Sequence, residues 1–286
     1  MGIVIFDGLA FGMLLFLMGV GLSITMGLMN YVNLAHGAFA MVGGYAAAIA
    51  MNRWHVPFLP SLALAFVAAA MVGALLEFVF FRRLYRADPL DHVLLSIGIV
   101  FVFVAGFTYW FGPTMQASNL PEWLQGRISL FGAEVGAYRS FLIVVGVVVL
   151  GLLQLLINKT RVGAMVRAAV DNQRGAAGRG VRVDRLFFLM FSFGCGLAGL
   201  GGGLGLNVLG LDPSFPLKYM IYFVIVVCVG GAGTITGPFL AAALLGIVDV
   251  GGKYYLPEAG AFLIYAFMVV LLLLRPHGLI PKKGLT

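Results

Sequence analysis

The stretch "NYVNLAHGAFAMVGGY", Asn30–Tyr45, lies between two strongly apolar runs. Two amides and an imidazole, Asn30, Asn33 and His36, fall within its first seven residues, and a Gly- and Ala-rich segment follows. What these polar residues mean depends on what flanks them. If the flanking runs cross lipid, the stretch interrupts helical structure where backbone groups have no water to bond.

The rest of the chain points to lipid. Hydrophobic residues make up 62% and charged residues 10%, and the mean hydropathy is +1.05. Soluble domains carry about 25% charged residues. Apolar runs of about 18 to 25 residues recur along the length, each able to cross a hydrocarbon core of roughly 30 Å. A β-barrel would instead show alternating segments of about 10 residues. The expected fold is an all-α polytopic membrane protein. Asp7 stands where a secretory signal would carry Lys or Arg, so the first run reads as a permanent span. The two cysteines, Cys195 and Cys228, fall inside apolar runs and read as small packing residues rather than redox or metal groups.

Candidate spans cover roughly 5–29, 36–52, 58–81, 92–111, 139–157, 186–206, 218–231, 236–250 and 258–274, a count of eight or nine. The second and eighth are short enough to be half-spans. Cations then set orientation. Arg82, Arg83 and Arg86 cluster after the third run, seven cations lie in 158–185, and Arg275, Lys282 and Lys283 lie at the tail. With nine spans these segments share one side, which is cytoplasmic, leaving the N-terminus outside and the C-terminus inside. This placement accounts for the net charge of +7 without nucleic acid. Residues 112–138 then face outward. They are expected to hold a short amphipathic helix, with Trp110 and Trp123 at headgroup depth. Residues 1–286 read as one membrane domain.

Charge is scarce inside the spans, where it costs roughly 2.5–3.5 kcal/mol per group on insertion scales. Glu77 is expected to reach Arg82 or Arg83, and Asp249 to pair with Lys253 four residues on. No chain of Asp, Glu and His crosses the membrane, which speaks against a proton-coupled transporter; Na⁺ sites built from carbonyls stay open. No catalytic, cofactor or metal motif is present. "GIVDVGGKY", 246–254, misses the phosphate-loop pattern, with Ile247 where Gly is needed and Tyr254 where Ser or Thr is needed. Small residues recur at helical spacing: Gly19, Ser23 and Gly27 on the first span, and Gly194, Ala198 and Gly202 on the sixth, with Gly199 and Gly203 alongside. Such faces serve close helix packing or line a pore.

Two readings fit the opening stretch. Asn33 and His36 either satisfy freed backbone groups or border a translocation path, where broken helices are used. A second break, "VGGAGTITGPFLAAALLG", Val229–Gly246, has the same shape: a polar residue, Gly, Phe two positions later, then small residues. The two could be equivalent elements around one path, to which Thr234 and Thr236 would contribute. The basic segment "NKTRVGAMVRAAVDNQRGAAGRGVRVDRL", Asn158–Leu186, is Ala-rich and can form two helical turns over Val162–Ala169. Gly175, Gly178 and Gly180 weaken it further on. It is either a topogenic anchor or a docking knob for a soluble partner.

Taken together, "NYVNLAHGAF", "TRVGAMVRAAVDNQ", "GRGVRVDRL", "VGGAGTITGPFLAAALLG" and the tail "LLLLRPHGLI" resemble the membrane permeases of branched-chain amino acid ABC transporters, and most of all the shorter, LivH-type subunit. The resemblance spans nearly the whole chain. It implies a bacterial inner-membrane permease that pairs with a homologous second, LivM-like permease. It also implies two cytoplasmic ATPases and an extracytoplasmic solute-binding protein as partners. It assigns 158–185 to ATPase coupling, with Arg167, Ala168, Asp171, Asn172, Ala176 and Gly180 at matching positions; the residues expected to carry the coupling are Arg167, Asp171, Arg174 and Gly180. The family usually carries an acidic residue near position 174, where this chain has Arg174, so contact chemistry there differs or the partner compensates. Relatives on the same scaffold carry urea, short amides or aromatic acids, and a self-sufficient secondary transporter or a non-transporting scaffold remain as competing classes. No Arg in the spans stands out as a carboxylate ligand, which implies that selectivity lies with the binding protein.

Overall fold

The computed structural model describes residues 1–29, 31–85, 87–130, 133–276 and 278–280. Asn30, Arg86, Lys282 and Lys283 lie outside the described residues.

Helices occupy the nine candidate positions: α1 (Gly2–Met29), α2 (His36–Asn52), α3 (Phe58–Val79), α4 (Pro89–Phe111), α5 (Ala137–Lys159), α8 (Val183–Leu209), α9 (Phe215–Gly230), α10 (Thr236–Tyr255) and α11 (Gly260–Leu274). Two short helices, α6 (Arg161–Asp171) and α7 (Gln173–Gly178), fill the basic segment. By length and apolarity, α1, α3, α4, α5 and α8 each suffice to cross a membrane, while α9 and most of α11 are shorter apolar helices. Local chemistry sets the ends. Pro89 and Pro216 stand in first turns, where the missing N–H has no helical partner to lose. Gly112 ends α4 at φ +73°, a conformation that disfavours a side chain.

The core is built on α1 and α8, which pack antiparallel and gather α2, α3, α9 and α10 around them. Their small faces make this possible. A Cβ on Gly21 would fall on the Gly194 backbone, one on Gly43 on that of Gly199, and one on Gly202 on the Ala40 carbonyl. The α8 face is therefore filled by neighbouring main chain, which supports the packing reading over the pore-lining one. On the α1 face, Gly19 meets Val226 and Phe223, Ser23 Oγ donates to the Thr234 carbonyl at 2.8 Å, and Gly27 meets Gly233. The outer helices α3, α4, α5 and α11 leave large apolar side chains exposed, among them Met71, Val102, Leu152 and Leu273. Such surfaces suit acyl chains or a neighbouring permease.

Two expectations need correction. Residues 112–138 contain no amphipathic helix among the described residues. They form a 3₁₀ turn, Glu122–Leu124, and an antiparallel hairpin, β1 (Arg127–Leu130) with β2 (Ala133–Gly136), which pairs Ile128 with Val135 and Ser129 with Glu134. Short period-two alternation wins over helix where Pro121 and Gly126 break the run. Trp123 stands edge-on to Phe141, with ring centroids 5.7 Å apart, and the Gln116 N–H donates to the Leu211 carbonyl at 2.7 Å. This loop marks one end of the bundle; α6 and α7 mark the other.

Glu77 does not bond Arg82 or Arg83. Its carboxylate is buried and accepts from the Tyr85 hydroxyl, while its second oxygen has no partner among the described residues. The 3₁₀ turn Phe81–Leu84 after α3 leaves Arg82 and Arg83 exposed and swings Tyr85 back onto Glu77. A buried carboxylate that loses its only donor costs several kcal/mol. Tyr85→Phe is therefore expected to lower the thermal midpoint of the detergent-solubilised protein by several degrees. Adding Glu77→Gln, which removes the charge, should recover most of the loss. Equal midpoints for Tyr85→Phe and the parent would show that the pair contributes nothing. Of the remaining acids in the bundle, Asp249 pairs with Lys253 as its spacing indicates, at 2.6 Å. Asp7 with Arg139 and Asp212 with Lys218 are further ion pairs.

Candidate functional site

The first break climbs into the bundle. From the C-terminal end of α1 the chain runs through Tyr31, whose ring stacks on His92 at 3.9 Å, and then Leu34, whose N–H donates to Ser96 Oγ of α4 at 3.3 Å. It reaches His36, whose ring lies beside the Met18 main chain near the middle of α1. α2 thus begins inside the protein and not at its surface, as a half-span would. Asn33 is buried: its Oδ1 accepts from the Ala35 N–H at 3.0 Å, and its carbonyl accepts from the His36 N–H at 3.3 Å. The amide therefore supplies the turn that starts α2. Asn33 Nδ2 and His36 Nε2 have no hydrogen-bond partner among the described residues. Both are polar atoms kept dry at a helix start, and such atoms are ordinarily paired.

The second break, between α9 and α10, is tied to α1. The Gly233 N–H donates to the Ser23 carbonyl at 3.0 Å, the Thr234 carbonyl accepts from Ser23 Oγ, and Thr234 Oγ1 donates to the Gly231 carbonyl at 2.9 Å. Gly231 and Gly233 take φ +98° and +81°, values open mainly to glycine. Thr234 is half-buried and Thr236 exposed, and both line a cavity of about 320 Å³ with Gln154, Ile157 and Asn158 of α5.

Both breaks bear on α9. A Cβ on Gly37 would press on Pro216 at the helix start, and one on Gly237 would press on Gly230 at its end. His36 and Thr236 are each the first residue of their helix, and Phe39 and Phe239 each meet another ring edge-on. The space beside Thr234 and Thr236 is not lined by Asn33 or His36.

The basic segment forms two short helices rather than one. Thr160 caps α6 by accepting from the Gly163 N–H at 3.1 Å, and Asn172 caps α7 by accepting from the Gly175 N–H at 2.8 Å. Asn172 is extended, so the chain turns between them. α6 continues two residues beyond the expected Ala169, and Gly180 at φ +85° closes the unit. Gly163, Val166 and Ala169 face inward, while Arg167, Asp171 and Arg174 are exposed, as is Gly180. The Arg167 guanidinium donates to the Ile157 carbonyl near the end of α5.

The residue that joins this knob to the bundle carries no mark in the sequence. Gln173 Nε2 donates to the Leu28 carbonyl in the last turn of α1 at 2.7 Å, just before the first break. Val170 lies beside Gly233 of the second break. The short helices therefore touch the chain next to both interruptions. One polar residue among seven cations gives no such signal, because the contact spans 145 positions.

Comparison with known proteins agrees with this architecture. The family described as "Branched-chain amino acid transport system / permease component" matches residues 4–272. A Methanocaldococcus jannaschii protein named "Probable branched-chain amino acid transport permease protein LivH" is 28% identical over 96% of this chain and 88% of its own length. The high-affinity branched-chain amino acid transport system permease protein LivH of Escherichia coli K12 is 24% identical over 97% of this chain and 94% of its own. The LivM permease protein of the same bacterium is 25% identical, over 94% of this chain and 68% of its own length.

Proposed function

This chain belongs to the permease family of branched-chain amino acid transport systems, and from that membership we propose that it forms half of an ATP-driven import path for branched-chain and other hydrophobic amino acids. Residues 1–286 act as one permease domain in a bacterial inner membrane, with the hairpin end outside and α6, α7 and the C-terminus in the cytoplasm. The partners are a homologous LivM-like permease, two cytoplasmic ATPases and an extracytoplasmic binding protein. Likeness of the chain to both LivH and LivM proteins supports a pair of related permeases.

The observation that carries this reading is the junction of the basic knob with both breaks, through Gln173 to Leu28 and Val170 to Gly233. In the proposed cycle, closure of the ATPases moves α6 and α7 through Arg167, Asp171, Arg174 and Gly180. The inner end of α1 and the 231–235 turn move with them. Access at Asn33 and His36, and at Thr234 and Thr236, then switches sides. Packed interfaces with two arrangements convert a small push into such a change.

The test is reconstitution of the chain with its second permease, ATPases and binding protein in liposomes. Uptake of L-leucine should require ATP and all three kinds of partner, and protease should reach 158–185 from the ATPase side alone. Leucine movement by the lone chain, or cleavage of 158–185 from the binding-protein side, would overturn the reading.

A further inference from the structure

Three ion pairs converge at the hairpin end, where α1, α5, α9 and α10 meet. Asp7, Phe11, Arg139, Lys218, Tyr222 and Asp249 help line a cavity of about 410 Å³ there, within the size range of small-molecule sites. Each pair is built alike. The carboxylate is sheltered and the cation half open: side-chain exposures are 19% for Asp7 against 47% for Arg139, 14% for Asp212 against 53% for Lys218, and 1% for Asp249 against 53% for Lys253. Tyr222 Oη donates to Asp249 at 3.3 Å, and Lys253 Nζ stands 5.7 Å from the Phe11 ring centroid. Ala10, Leu142 and Val250 add apolar wall.

Packing alone does not call for this arrangement. Ion pairs at helix ends in a membrane protein carry a desolvation cost, and apolar residues of similar volume would pack as well or better. The three cations are balanced by three carboxylates, so the cluster has no net charge to attract a lone anion or cation. Both signs nevertheless line the cavity, the cations as the more exposed members and Asp7 and Asp249 as the more sheltered ones, beside an aromatic and aliphatic wall.

We propose that this cavity binds a free amino acid as its zwitterion, before entry to the path. The ligand carboxylate meets Arg139 and Lys218, the ammonium meets the Asp7 carboxylate and the Tyr222 hydroxyl, and the side chain lies against Phe11 and Val250. The sequence holds no sign of a carboxylate ligand in the spans, because Arg139 and Lys218 come from different helix starts that only the fold brings together. The proposal rests on the permease reading for its biological role, though binding itself needs no transport.

The test is equilibrium binding of radiolabelled L-leucine to the full chain with its second permease and ATPases in nanodiscs, without binding protein. Saturable binding is expected, displaced by unlabelled L-leucine but not by L-leucinamide, which lacks the carboxylate, or 4-methylpentanoate, which lacks the ammonium. Arg139→Gln and Lys218→Gln should each weaken it by about tenfold. Asp7→Asn with Arg139→Gln leaves no orphaned carboxylate, so it separates lost binding from lost folding and should also bind weakly. Arg139→Lys should restore part of the affinity. Absence of saturable binding, equal affinity in the variants, or equal competition by either analogue would overturn the site. So would variants that lose only assembly while assembled complexes bind leucine normally. ATP-driven uptake is measured in parallel. Uptake without nanodisc binding would remove this site and keep the proposed function; binding without uptake would do the reverse.

Discussion

Gly202→Val is expected to abolish accumulation of the folded protein. A Cβ at Gly202 would fall on the carbonyl of Ala40, and Gly199 and Gly43 meet backbone to backbone one turn away. Main chain on both sides has no rotamer to change, so α8 and α2 must separate. Overpacking a core costs typically about 1–3 kcal/mol, and more where backbone is the obstacle. The helix displaced depends on close packing for its place. α2 is 17 residues long, starts at a polar break, and keeps its place by packing on α8, α3 and α9. In lipid no hydrophobic force drives helices together, so close packing supplies much of the association. Gly202→Ala should show the same defect in weaker form. Gly151→Val is the control: no atom lies within 4 Å of a Cβ at Gly151 on α5. Fluorescence-detected size exclusion of tagged protein reads the result. Monodisperse Gly202→Val at parental level would mean that α2 and α8 are not in this close contact.

How much of this is legible in the sequence? Apolar length alone places the helices well, since a run that must cross lipid declares itself without partners. The span expected at 36–52 coincides with α2. Hydropathy ends the eighth span at 250, because Asp249, Gly251, Gly252 and Lys253 lower it. Those residues nevertheless stay helical to Tyr255, with the acid and base paired one turn apart. Small residues on α1 and α8 are visible as faces; which main chain fills each is not, since that is a property of two helices together. The long-range pairs are hidden for the same reason. Asp7 finds Arg139, and Ser23 finds the second break. Nor does sequence give depth. That His36 lies beside the middle of α1 follows from an ascending segment with no periodicity of its own.

Gln173→Leu is expected to uncouple the transporter while leaving it assembled. Gln173 adjoins Arg174, but its amide is committed to the Leu28 carbonyl of α1, and the variant keeps Arg167, Asp171 and Arg174, so docking should persist. What it loses is the bond to the Leu28 carbonyl, one of the orphan acceptors that every helix C-terminus presents. That bond is a polar link between α7 and α1, and Leu28 lies just before the first break. A net hydrogen bond contributes about 0.5–1.5 kcal/mol, and leaving a sheltered acceptor unmet adds to the loss, so transmission should fall by about tenfold. Basal ATP hydrolysis should match the parent. Stimulation by loaded binding protein, and leucine uptake, should fall together. Gln173→Glu tests the sign of the bond, since an ionised carboxylate cannot donate to a carbonyl and should fail as the leucine variant does. Arg185→Gln, on the same side of the protein but outside the junction, should leave stimulation unchanged. Parental uptake in both Gln173 variants would mean that force passes through another contact, such as Val170 against Gly233 or Arg167 on the Ile157 carbonyl.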